Sequence, residues 1–166
     1  MFFLGSVIAL TSDLFIKEGR EVFYKFVDAI FITGTILVAI KLVKEVWDMT
    51  AAGYTLLSIA FGVFFLAKDF QQLTVGIDIM ASSIYFLLPS MILISFYAPF
   101  PLYIKIIGLI TILPSLIGLI LLKTHAAKAD YLLWRKISYL AVHITSLCWG
   151  FFFLWKYIKV TKKVHP

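Results

Sequence analysis

Residues 103–122 read YIKIIGLITILPSLIGLILL, twenty positions with a single charge, Lys105, at the third. A helix of about 20 mostly apolar residues covers the roughly 30 Å hydrocarbon core of a bilayer. Barrel strands alternate apolar and polar residues with period two, and this run is apolar on all sides. Gly108, Thr111, Ser115 and Gly118 recur in it at i, i+3, i+7 and i+10, which places them on one helical face. Small residues in that register let two helix backbones approach closely. The run therefore predicts a membrane-crossing helix with a packing face, its partner lying in this chain or in a second copy.

Four further runs have the same character: 23–43, 51–67, 74–98 and 137–155. A shorter one, 1–16, carries Asp13 near its end and predicts a short first helix, spanning or re-entrant. It lacks the basic start and small-residue cleavage site of a signal peptide. The connections are brief: Lys17 to Arg20, Lys44 to Asp48, Lys68 to Gln72, the Pro99–Pro101 turn, and a polar stretch over 123–136. Thr55, Ser58 and Gly62 repeat the small-residue device in the third run. The predicted fold class is an all-α integral membrane protein, a polytopic bundle of six transmembrane helices with short loops, or five if 1–16 does not cross. All of 1–166 forms one transmembrane domain in this reading, with no soluble domain.

Composition agrees. Of 166 residues, 62% are apolar and 14% charged, against about 45–50% and about 25% in soluble domains. A soluble domain of about 150 residues buries only about 70% of the surface its chain exposes, so water is a poor solvent for this one. A soluble enzyme, a disordered tail and a disulfide-stapled module are excluded. The excess of 15 Lys and Arg over 9 Asp and Glu reads as helix flanks in contact with lipid headgroups, and nucleic acid is not an expected partner. Cys148 is the single cysteine, which excludes an internal disulfide and a cysteine-based metal cage.

Orientation is balanced. With six crossings, one side collects Lys17, Arg20, Lys25, Lys68, Lys123, Lys128, Arg135 and Lys136, and the other collects the seven remaining basic residues. The basic tail over 156–163 favours a cytoplasmic C-terminus, but eight against seven decides nothing.

Ionisable residues inside a span cost about 2.5–3.5 kcal/mol on insertion scales, so each asks for a reason. Asp28 stands five residues into its run and is either an ion or proton site or an interfacial acid paired with Lys25 or Lys68. Asp78, Ser82, Tyr85 and Pro89 follow at i, i+4, i+7 and i+11, a polar stripe that ends where proline frees the carbonyl of Tyr85. The stripe predicts either an ion or proton pathway or hydrogen bonds to neighbouring helices. His143 lies in the middle of the last run, with Ser146 on its face. A haem reading would pair His143 with His125, which sits in the 123–136 stretch, and a hydrogen bond between helices is the simpler expectation. No metal site and no catalytic residue is assigned. Phosphate loops, H-E-x-x-H and Asp-rich diphosphate motifs are all missing, so no enzymatic reaction is indicated.

Three functions remain. The leading expectation is a non-catalytic integral subunit or scaffold of a larger membrane assembly, with lipid, other membrane subunits or a second copy as partners. The alternative is a small oligomeric ion or solute channel or transporter that uses an intramembrane acid. The third is an electron-transfer or membrane enzyme subunit.

Overall fold

The long apolar runs contain few residues that resist helical geometry, and each is helical over most of its described length in the computed structural model, which describes residues 2–11, 20–70, 74–124 and 128–164. In chain order the helices are α1 (Phe2–Thr11), α2 (Arg20–Lys44), α3 (Asp48–Ala67), α4 (Thr74–Ser82), α5 (Ile84–Ser95), α6 (Leu102–Ile110), α7 (Ile112–Lys123) and α8 (Lys128–Val164). A 3₁₀ turn, Lys68–Phe70, extends α3. There is no strand among the described residues.

Two rods are interrupted without being turned aside. α6 ends at Ile110, the residue whose carbonyl loses its donor because Pro114 has no N–H. Thr111 keeps helical dihedrals between α6 and α7 and returns its hydroxyl to the Ile107 carbonyl at 2.9 Å. Between α4 and α5, Ser82 and Ser83 hydroxyls turn back onto the Ile79 and Met80 carbonyls, both at 2.6 Å. Such back-bonding competes with the backbone ladder and locally loosens it.

Counted as continuous rods, five segments among the described residues are long and apolar enough to cross a membrane: Val22–Lys44, Asp48–Phe70, Val75–Ser95, Leu102–Lys123 and Leu133–Lys159. The sixth expected crossing is not reached among the described residues. α1 is ten residues long, about 15 Å, or half of what a crossing needs. The rest of the 1–16 run lies outside the described residues. The polar stretch 123–136 is also not a loop throughout, because α8 already begins at Lys128. Nothing between 128 and 136 is Gly or Pro, so Asp130, Arg135 and Lys136 ride on its opening turns.

α3 is central, with α2 on one side and α5 on the other, while α7 lies along α8 and α1 rests on α2 and α8. At Gly53 α3 and α5 nearly touch: an added Cβ would stand 2.9 Å from Leu93 Cβ and 3.0 Å from the Ile94 nitrogen. Buried Phe31, Tyr54, Leu57, Phe61, Leu87, Met91, Ile94 and Trp149 fill the interior. One end of the bundle is closed by rings. Trp47 meets Tyr97 at 5.1 Å, Tyr97 meets Phe100 at 5.0 Å, and Phe100 stacks on Trp149 at 6.4 Å. Lys156 donates to the Tyr97 hydroxyl at 3.1 Å.

The turn between α2 and α3 has an unusual occupant. Trp47 N–H donates to the Leu42 carbonyl at 2.9 Å and Val46 N–H to Val43 at 3.1 Å, the bond pair of a Schellman helix end. The residue between them must be left-handed, and Val46 has φ of 62°. That conformation costs an L-residue about 1–2 kcal/mol and favours glycine. Val46 is 82% exposed, so its side chain contributes little packing. Val46→Gly is expected to stabilise the protein by about 1 kcal/mol, raising the apparent Tm in detergent by about 2–4 °C. An unchanged or lowered Tm would show that the turn is not strained.

Candidate functional site

At the end opposite the rings, α2 begins and α3 finishes, and both bring charges. Lys25 and Asp28 are three apart on α2 and so lie on one face. Lys68 and Asp69 follow directly on α3. The antiparallel packing crosses them into two ion pairs, Lys25 with Asp69 and Lys68 with Asp28. The first is at the surface, its side chains 34% and 50% exposed, where such a pair is worth about 0–1 kcal/mol. The second is sealed, at 8% and 1%. Lys68 also lies 5.3 Å over the Tyr24 ring. Asp28 gives only Oδ2 to the lysine, and Oδ1 finds no hydrogen-bond partner among the described residues.

The sealed pair lines a cavity of about 500 Å³. Arg135 and Lys136 reach it from the opening turns of α8, and Tyr24, Tyr139, Ser115 and Ser138 bring hydroxyls. Ser115 and Ser138 share a hydrogen bond of 2.5 Å across α7 and α8. The remaining wall is apolar and includes Met80, Ile84, Leu87 and Val142. Three cations against one carboxylate give the described lining an excess of positive charge. In low dielectric such an excess draws an anion far more strongly than in water. Asp28, already committed to Lys68, keeps one oxygen as a hydrogen-bond acceptor.

The polar stripe of α4 and α5 faces away from this cavity. Asp78 is exposed, Tyr85 is 59% exposed, and Ser82 is satisfied by its own helix. Neither Asp78, Ser82 nor Tyr85 lines the cavity. Asp28 is thus the acid that the fold brings together with other charges.

The small face of 103–122 is used within the chain. Thr111 and Thr145 share a hydrogen bond of 2.6 Å between α6–α7 and α8, and Ser115 bonds Ser138 as above. An added Cβ at Gly108 would come 3.1 Å from Ser95 Oγ, and one at Gly118 3.8 Å from Trp134 Cβ. All four residues are buried.

His143 is fully buried among Tyr139, Phe31 and Phe61, with ring centroids at 4.2, 4.9 and 6.3 Å. Neither ring nitrogen has a hydrogen-bond partner among the described residues, and Ser146 Oγ is also unpartnered there. The expected hydrogen bond between helices is not formed by His143. A haem does not fit either. The imidazole has no open face, it lies outside the cavity lining, and His125 is outside the described residues. No cluster of three or more His, Cys, Asp or Glu side chains suited to a metal exists among the described residues.

Lys68 is the partner of Asp28 that the sequence offers, whereas Arg135, Lys136, Tyr24, Tyr139 and Ser138 were not legible as site residues from their own segments. All five flank or begin the apolar runs, where lysine, arginine and tyrosine are ordinary interfacial residues. Only the crossing of α2, α3 and α8 at one end gives them a common space. Compared with protein-family models, curated proteins and solved structures, the chain matches none.

A buried imidazole without partners carries a desolvation cost of about 1–3 kcal/mol that a phenyl ring of similar shape avoids. His143→Phe is therefore expected to hold or raise the apparent Tm. A fall of several degrees would mean that the ring nitrogens are bonded after all.

Proposed function

We propose that the chain is an integral membrane protein of five spans, with α1 as a short accessory helix, and that it binds and moves an anionic solute through the cavity beside Asp28 and Lys68. The observation that carries this reading is the sealed ion pair in the wall of a cavity with surplus positive charge. A buried ion pair rarely adds net stability over an apolar pair of similar size. Intramembrane charges facing an interior space are usually placed for transport or binding. The same reading fits the exposed girdle of Ile, Leu and Phe on the spans, including Ile40, Leu109, Ile120 and Phe151. Because the small face over Gly108 to Gly118 is closed inside the chain, it no longer favours a scaffold role.

Stability and function should separate in variants. Removing one partner leaves an uncompensated buried charge, so Lys68→Met is expected to destabilise by about 3–5 kcal/mol. The double variant Asp28→Leu/Lys68→Met should recover most of that stability. In proteoliposomes, transbilayer movement of inorganic phosphate, a short carboxylate and a fluorescent anionic lipid would be followed for each protein. Movement of at least one by the natural chain, lost in the stable double variant, is the expected result. Equal movement in both would sink the role given to the pair.

A second reading has its own observation. Asp78 and Tyr85 point outward from α4 and α5. A polar stripe on a lipid-facing surface is costly until another helix covers it. We propose that this stripe docks a second copy of the chain. Light scattering of the detergent-solubilised protein should then show an oligomer that Asp78→Leu/Tyr85→Leu dissociates. A monomer before and after substitution would remove the docking face.

A further inference from the structure

The cavity is chemically divided, and the division specifies a ligand more narrowly than "an anion". Its charges come from the ends of the spans. Arg135 and Lys136 lie two and three residues inside the span Leu133–Lys159, and Lys68 lies two residues before the end of Asp48–Phe70. At 1.5 Å per residue these are within about 5 Å of the ends, the depth of lipid headgroups. Asp28 is six residues inside Val22–Lys44, about 9 Å. Beyond the charges the wall is Ile84, Leu87, Met80 and Val142, which no hydrophilic anion would prefer. A ligand matching both parts is an amphiphile with an oxyanion head.

Asp28 sharpens the head. Asp28 lines the site, its Oδ1 is buried and lacks a hydrogen-bond partner among the described residues, and a carboxylate oxygen can only accept. The matching head therefore both carries negative charge for Arg135 and Lys136 and offers an O–H to Asp28. A phosphate monoester does so near neutral pH, because its second pKa is about 6 and a fraction retains a proton. A fully ionised carboxylate has no proton to offer, and a choline phosphodiester adds a cation beside three others.

We propose that this cavity binds a lipid phosphomonoester. Its phosphate is held by Arg135 and Lys136, its remaining O–H is received by Asp28 Oδ1, and its tail lies along Ile84 and Leu87. The inference rests on the five-span reading above, with the cavity as the working part.

The test uses the full chain in a neutral maltoside detergent, with binding read by thermal shift and native mass spectrometry. Probes are dioleoyl phosphatidic acid, dioleoyl phosphatidylcholine, oleate and inorganic phosphate. At a hundredfold excess over its Kd, phosphatidic acid is expected to raise the apparent Tm by about 5–10 °C. Each cation removed should weaken binding by about tenfold or more, so Arg135→Gln/Lys136→Gln should abolish the shift. Lys41→Gln/Lys44→Gln, at the opposite end, should preserve it. Where the Arg135 and Lys136 variant does not purify folded, Ile84→Trp fills the tail wall without changing charge and should also abolish binding.

Phosphatidylcholine acting as well as phosphatidic acid overturns the proposal, as does undiminished binding by the variants. Inorganic phosphate matching phosphatidic acid would make the ligand a free oxyanion and remove the tail from the site. Oleate matching it would remove the role of Asp28. Movement of inorganic anions without phosphatidic acid binding would refute this inference and leave the transport reading standing. Specific phosphatidic acid binding with no transbilayer movement would do the reverse.

Discussion

Asp28 and Lys68 are withdrawn from water together, and the arrangement of one whole end of the bundle follows from that. Either charge alone would be prohibitive at their exposure of 1% and 8%. Their contact therefore fixes the register of α2 against the end of α3, with Lys25 and Asp69 repeating the crossing at the rim. Sliding α3 by one turn would strand both buried charges. Asp28 and Lys68 line the cavity together with Tyr24, Phe61 and Phe64.

The opposite wall is set by a different device. The α6–α7 rod and α8 are drawn together by two hydroxyl pairs, Thr111 with Thr145 and Ser115 with Ser138, four residues apart on the rod and seven apart on α8. In lipid the hydrophobic effect does not drive helices together, so close backbone approach and such polar contacts have to do so. Ser115 and Ser138 both belong to the cavity wall, so the contact that joins the helices also presents hydroxyls to the site. This couples packing to binding: a larger residue at Ser115 would push α8 away and carry Arg135 and Lys136 with it.

Much of the helical architecture was legible in residue pattern. The apolar runs, the Pro99–Pro101 turn and the small face of 103–122 each rest on local chemistry, and the structure places helices and a turn there. Two features were not. The first turns of α8 read as loop because charge density was taken for a boundary, whereas a helix can carry charges at its end without breaking. The orientation of the Asp78 stripe was also illegible. Helical spacing says that Asp78, Ser82 and Tyr85 share a face, but only tertiary packing says which way that face points. The converse applies to the cavity. Lys68 is separated from Arg135 and Lys136 by more than sixty residues of chain, and they converge because the end of α3 and the start of α8 lie at one level.

The two ends of the bundle differ in a way that bears on how a ligand leaves. Trp47, Tyr97, Phe100 and Trp149 pack ring to ring at one end, and none of them lines the cavity. A hydrophilic solute crossing the protein would have to part that cluster, breaking edge-on contacts each worth about 0.5–1.5 kcal/mol beyond simple burial. An amphiphile is under no such requirement. Its head is held at headgroup depth and its tail is already apolar, so it can enter and leave sideways between helices without opening the ring end. Lateral access needs a gap in the girdle at the depth of the charges. α1 is the element best suited to provide it, being about half the length of a span and contributing Ala9 to the lining. Gly5 sets how closely α1 can lie against Phe31, since a Cβ there would come within 2.9 Å of that ring.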